Sequence, residues 1–152
     1  MEFDQTDIQL LMLLQTDGKK TTKEYSNILG LSTTAVYERI KRLERTGVIK
    51  NYVALLDKKK IKKAFQVFCL VKLVQHTEKN VLQFEKEVIQ LEEVAECYHI
   101  SGDYDYILKI HLADIEAYRE FMVTKLTAIP NIGSTQSSFA ISEVKYTTAL
   151  QV

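Results

Sequence analysis

Apolar residues in the first third of the chain recur at helical spacing in three short runs. Ile8, Leu11 and Leu14 stripe one helix. Ahead of it, Asp4 can cap the first turn, Asp7 lies within that turn, and Phe3 is placed to staple onto Ile8. Asp17-Gly18 ends this helix, and Thr21 or Thr22 can cap a second one of about two turns. The second helix turns Tyr25, Ile28 and Leu29 inward and stops at Gly30. Ser32 caps a third, with Leu31 set to staple onto Val36 and with Val36, Ile40 and Leu43 on one face until Gly47. Two short helices separated by Gly30-Leu31-Ser32 predict a helix-turn-helix, with the small Ser26 where the helices cross. Beyond Gly47, the run VIKNYVALLD alternates around Asn51 and predicts a small β-hairpin, or wing.

The periodicity then changes. From Phe65 to Val74 both alternating faces are apolar: Phe65, Val67, Cys69, Val71 and Leu73 oppose Phe68, Leu70 and Val74, so this strand must be covered on two sides. Val81, Phe84, Val88 and Leu91 make a helical stripe, and VAECYHISG and YILKIHL read as strands joined by a turn around Asp103-Tyr104-Asp105. Asp114 can cap a helix with Ile115, Tyr118, Met122, Leu126 and Ile129 inward, and TQSSFAIS reads as a last strand. The order strand, helix, strand, strand, helix, strand is the split βαββαβ arrangement of a ferredoxin-like sandwich. The whole reads as an α+β chain: a winged helix-turn-helix over residues 1–56, a basic linker over 57–64, and a ferredoxin-like domain over 65–152. Two helices cover only one face of such a sheet. A second copy of the chain against the other face is the economical solution, and it presents two reading helices to two half-sites.

Composition narrows the class. Of 152 residues, 46% are hydrophobic and 26% charged, with five Gly and one Pro, which is the balance of a folded protein. No stretch approaches the ~18 uninterrupted apolar residues of a membrane span, and the acidic MEFDQTD start has no signal-peptide pattern, so a cytoplasmic location is expected. Cys69 and Cys97 are too few for a disulfide scaffold and lack a C-x-x-C spacing. Net charge is zero, but residues 1–63 hold thirteen Lys and Arg against eight Asp and Glu, and the remainder holds seven against twelve. A basic first portion suggests a polyanionic partner for that portion alone. Its densest cluster is Lys58, Lys59, Lys60, Lys62 and Lys63, either a solvated connection or a contact to phosphates.

With Val36 fixed as the core direction of the third helix, Thr34, Glu38, Lys41, Arg42 and Arg45 point outward and Tyr37 lies on the flank. Hydroxyls, one carboxylate and several cations supply the groups that read base edges and hold phosphates, though a solvated helix surface has similar composition. Arg39 lies at the core edge, suited to an ion pair or a phosphate contact. With Thr33, these eight residues are the DNA-binding candidates.

The run Asp17, Glu24, Gly30-Leu31-Ser32, Val36, Arg39-Ile40, Leu43-Glu44, Gly47-Val48-Ile49, Tyr52 and Leu56-Asp57 resembles the winged helix-turn-helix of the Lrp/AsnC family of feast/famine transcriptional regulators. CYHISGDYDYIL and IPNIGSTQSSFAI are similar to that family's effector and assembly domain. Tyr25-Ser26 stands where Leu-Ala is usual, and DKKKIKKAF lacks the usual proline and glycine. The resemblance implies a sequence-specific regulator of double-stranded DNA, without enzymatic activity, that forms homodimers and then octamers as tetramers of dimers. It also implies an amino-acid effector bound between dimers near Ser101 to Asp105. By that matching the effector contacts fall on Tyr98, Gly102, Asp103 and Asp105, with Thr135, Ser137 and Ser138 added. A glycine turn can offer N–H groups to an α-carboxylate and aspartates can accept from an α-ammonium; the same turn also suits a tight hairpin whose aspartates satisfy their own backbone.

Cys97 and His99 share a strand face, and His111 or His76 could join them, but two ligands do not make a metal site. No Walker loop, G-x-S-x-G or dinucleotide fingerprint occurs. Two competing readings use the same architecture. One is a siroheme-decarboxylase-like enzyme subunit, in which His99 and His111 would matter; the other is a regulatory amino-acid-binding subunit of another enzyme.

Overall fold

The computed structural model describes residues 2–152. The described residues form two compact units, one of residues 2–55 with 144–152 and one of residues 56–143.

The first unit is built on α1 (Gln5–Thr16), α2 (Thr22–Leu29) and α3 (Thr33–Arg45). Each begins where a side chain satisfies the free amides of a first turn. Asp4 accepts from the Asp7 N–H at 2.8 Å while the Asp7 carboxylate accepts from the Asp4 N–H at 3.3 Å, and Thr21 and Glu24 repeat the same reciprocal box on α2. Ser32 Oγ accepts from the Ala35 N–H at 3.1 Å. Gly30 ends α2 at φ 66°, a left-handed position that glycine adopts without penalty. Leu10, Leu11, Tyr25, Val36 and Leu43 form the buried core, with Phe3, Leu14, Leu29, Leu31 and Ile40 packed around it. Ser26 is 6% exposed at the crossing of α2 and α3, and its Oγ lies 3.5 Å from Thr33 Oγ1.

Two expectations fail here. Ile28 is 53% exposed, because the buried side of α2 centres between Tyr25, Ser26 and Leu29 and leaves Ile28 roughly 100° away. The wing is not a hairpin: among the described residues no strand occurs between residues 46 and 64. Two isolated strands with no third strand or helix to cover them are marginal in water. The segment instead folds back through Tyr52, whose hydroxyl donates to Glu44 Oε1 at 3.2 Å and whose ring lies against Gly18, while Val53 and Leu55 stay 74% and 63% exposed. Residues 144–152 group in space with the helical unit. There the Gln15 side-chain amide donates to the Leu150 carbonyl at 3.0 Å and accepts from the Leu150 N–H at 2.7 Å.

The second unit is a four-stranded antiparallel sheet in the order β2-β3-β1-β4, from β1 (Phe65–Leu73), β2 (Val94–His99), β3 (Tyr106–Leu112) and β4 (Ile132–Phe139). Helices α4 (Glu78–Val88) and α5 (Ile115–Phe121), the latter continuing as a π-turn over Met122–Leu126, supply the two helical elements of the βαββαβ order. Val67, Cys69, Val71, Leu73, Tyr106, Leu108, Ile110 and Leu112 meet Phe84, Val88, Tyr118, Phe121 and Leu126 in one core. The other face carries Phe68, Leu70 and Ile107, all only half-buried. Ile115, expected inward, is exposed in the first turn of α5. No helix among the described residues is long and apolar enough to cross a membrane.

Candidate functional site

The outward face of α3 is assembled from its inner side. Asp7, 1% exposed in the first turn of α1, accepts with a single oxygen, Oδ1, from Arg39 Nη1 at 2.7 Å and from Arg42 Nη2 at 2.5 Å; Arg39 also reaches Asp4 Oδ2 at 2.7 Å. The bonds to the Asp7 N–H and the Arg39 guanidinium hold the Asp4 carboxyl below its ordinary pKa. Arg39 thus takes the ion-pair role, as its place at the core edge allowed. Arg42, expected outward, keeps 43% of its side chain exposed while its guanidinium tip is engaged: a helical wheel fixes only the Cα–Cβ direction, and a long side chain can reach a buried carboxylate on α1. Asp7 itself was missed, because a first-turn acid reads from sequence as a dipole partner and nothing local marks it as the anchor of α3.

With those two arginines engaged, the exposed residues of the helix are Thr33, Thr34, Tyr37, Glu38, Lys41 and Arg45. Lys41 pairs with Glu44 at 2.7 Å and its Nζ sits 5.7 Å from the centre of the Tyr37 ring. The Lys41 ammonium holds the Glu44 carboxyl below its usual value. Burial and the Glu44 carboxylate push the Tyr52 hydroxyl up to about 12, so it remains a donor that ties the extended segment to α3. One helix therefore presents two hydroxyls, an aromatic ring, a carboxylate and two cations on a surface fixed from beneath.

The second candidate lies at the turn between β2 and β3. The Ile100 N–H donates to the Asp105 carbonyl at 2.8 Å, and Gly102 takes φ 119°, which only glycine adopts freely. Asp105 faces inward: its carboxylate accepts from the Leu73 N–H at 2.7 Å and bonds His76 Nε2 at 2.9 Å. Burial raises its pKa, but the Leu73 amide and His76 outweigh that and leave it below the ordinary value. Asp105 therefore closes the hairpin against β1, while Gly102 and Asp103 are exposed. Tyr98 is 55% exposed, its hydroxyl donating to Glu96 Oε2 at 2.8 Å. Tyr104, which sequence reasoning passed over, donates to Gln136 Oε1 on β4 at 3.0 Å.

The three β4 candidates do not share a face. Thr135 and Ser137 pair with Val71 and Cys69 and so lie on the helix-covered side, where the Ser137 hydroxyl bonds Tyr118. Ser138 pairs with Phe68 on the open side. The sheet's pleat decides this, since alternate residues point to opposite faces. It likewise separates His99, stacked on Tyr106 at 4.7 Å between ring centres, from His111 on the opposite face. Burial, then Lys58, lowers the His111 pKa. Among the described residues no group of three or more His, Cys, Asp or Glu could hold a metal ion.

Comparison with known proteins gives matches over both units. Residues 3–44 match the AsnC-type helix-turn-helix domain and residues 66–150 the Lrp/AsnC ligand binding domain. The DNA-binding transcriptional activator DecR of Escherichia coli K12 is 34% identical over 149 residues, covering 98% of each chain. The leucine-responsive regulatory protein of the same organism is 36% identical over 151 residues, 99% of this chain and 92% of that one. Among solved structures, a Neisseria meningitidis transcriptional regulator in complex with L-Met superposes with a TM-score of 0.94 at 32% identity, covering 98% of this chain and 96% of that one. An AsnC family transcriptional regulator from Agrobacterium tumefaciens gives 0.93 at 36% identity, covering 97% and 96%.

Proposed function

Because this chain belongs to the Lrp/AsnC family of transcriptional regulators, we infer that α3 is the helix that enters the major groove of its DNA and that the turn after β2 borders its effector. The protein is a DNA-binding transcriptional regulator of that type, and its second unit is a ligand-binding domain of the kind that suits modulation by an amino acid. One observation carries the reading of α3: Thr33, Thr34, Tyr37, Glu38, Lys41 and Arg45 are exposed together while Arg39 and Arg42 bind the helix to Asp7. Thr34 and Glu38 face base edges in this arrangement, and Lys41 and Arg45 hold phosphates. Arg39 and Arg42 act on DNA only by setting the helix.

The half-buried face of Phe68, Leu70 and Ile107 is the surface on which a second copy pairs, giving two reading helices for a pseudo-palindromic site, and four such dimers make the octamer. The effector is an amino acid held by Tyr98, Gly102 and Asp103, with the Gly102 turn offering N–H groups to its carboxylate and Asp103 accepting from its ammonium. The location is the cytoplasm.

Selection of bound fragments from random duplex DNA, with and without the twenty amino acids, identifies site and effector together. On the selected site, Lys41→Ala and Arg45→Ala are each expected to weaken retention and to reduce the slope of log Kd against log salt by ~0.9. Unchanged affinity and slope in both variants would rule out this face.

A further inference from the structure

The segment that leads into the sheet unit is a built turn. Asp57 Oδ1 accepts from the N–H groups of Lys59 at 2.9 Å and Lys60 at 3.3 Å. The Lys63 N–H then bonds the Lys58 carbonyl at 2.8 Å and the Lys62 N–H bonds the Lys59 carbonyl at 3.2 Å, with Lys62 left-handed at φ 55°. This nested pair of bonds around a left-handed residue is the pattern that closes helix ends, here completing a single turn. The turn is also moored to its own unit. Lys58 pairs with Glu143 and lies 3.5 Å from Gln66 Oε1 on β1.

What this scaffold displays is positive charge. Lys59, Lys60, Lys62 and Lys63 are all exposed, and among the described residues none of Lys59, Lys60 and Lys62 forms an ion pair. The one carboxylate inside the turn, Asp57, is directed at backbone amides. Like charges gathered in this way repel one another in the free protein, and a polyanion removes that repulsion.

We propose that this lysine turn is a second DNA contact, a preformed cation cluster on the sheet unit that binds backbone phosphates outside the bases read by α3. The inference rests on the DNA-reading role of α3: a duplex held by that helix stands at high effective concentration for cations on the same chain. Lysine ammonium groups are point charges suited to phosphate and blind to sequence, so the turn adds affinity without changing base preference.

The test uses the full chain and two duplexes, one trimmed to the selected site and one extending about 20 base pairs beyond it on each side. The triple variant Lys59→Gln/Lys60→Gln/Lys62→Gln should reduce the salt slope on the long duplex by ~2 to 3, at ~0.9 per phosphate. It should weaken retention there about tenfold or more at low salt and leave the ratio of specific to scrambled site unchanged. The matching Lys→Arg triple keeps the charge and should keep the slope, and Lys79→Gln/Lys86→Gln/Lys145→Gln, exposed lysines elsewhere, should leave it as in the wild type. A wild-type slope in the Gln triple on the long duplex overturns the proposal while leaving α3 as the reader. A wild-type chain retained by neither duplex overturns both. If the Gln triple loses slope only on single-stranded RNA, the turn serves another polyanion and the proposal also falls.

Discussion

Asp7 gathers two guanidinium groups on one carboxylate oxygen while almost wholly buried, so its removal takes the carboxylate from Arg42 and leaves Arg39 with Asp4 alone. Asp7→Ala is expected to destabilise the helical unit by about 2 kcal/mol, read as the free energy of amide hydrogen exchange in α1 to α3, and to weaken DNA retention by loosening α3. Asp105 poses a different question, because its partners are the Leu73 amide and His76. Its folded pKa lies below the unfolded one, so its contribution is complete above the unfolded value near ~3.9 and is lost as pH falls through the folded value. Asp105→Asn should cost about 1 kcal/mol at pH 7, a gap that closes as the pH falls through the folded value, as denaturant titrations at descending pH would show.

Among the elements, the α2–α3 pair depends on close approach. Ser26 fills the crossing with a side chain of one heavy atom beyond Cβ, its hydroxyl donating to the Lys23 carbonyl at 2.9 Å. Ser26→Leu should overpack that contact and cost about 1–3 kcal/mol, with a loss of DNA affinity larger than Ser26→Ala produces, because it tilts α3 as well as straining the core. The caps at Asp4, Thr21, Ser32 and Asp114 show why element starts read well from sequence: a cap is a bond between residues three apart. The wing shows the converse. Alternation from Val48 to Leu56 describes what a strand would bury, but the pairing partner that makes it a strand is not contained in the pattern.

At the scale of the molecule, the sheet unit leaves one face half-covered. Leu70→Asp places a charge at its middle strand and should yield a monomer by sedimentation, with operator affinity falling because the two reading helices no longer bind as one ligand. The helix-turn-helix, the βαββαβ order and the exposed row on α3 were legible in the chain because each follows from a local period or a three-residue cap. The role of Asp7, the ion pair of Arg42, the split of Thr135 and Ser137 from Ser138 and the return of residues 144–152 to α1 were not. Each depends on which groups the folded backbone brings within about 3 Å from distant positions or on which side of a pleat a residue falls. Short-range spacing determines the elements and the residues they display; long-range proximity decides which of those residues are already engaged and which remain for a partner.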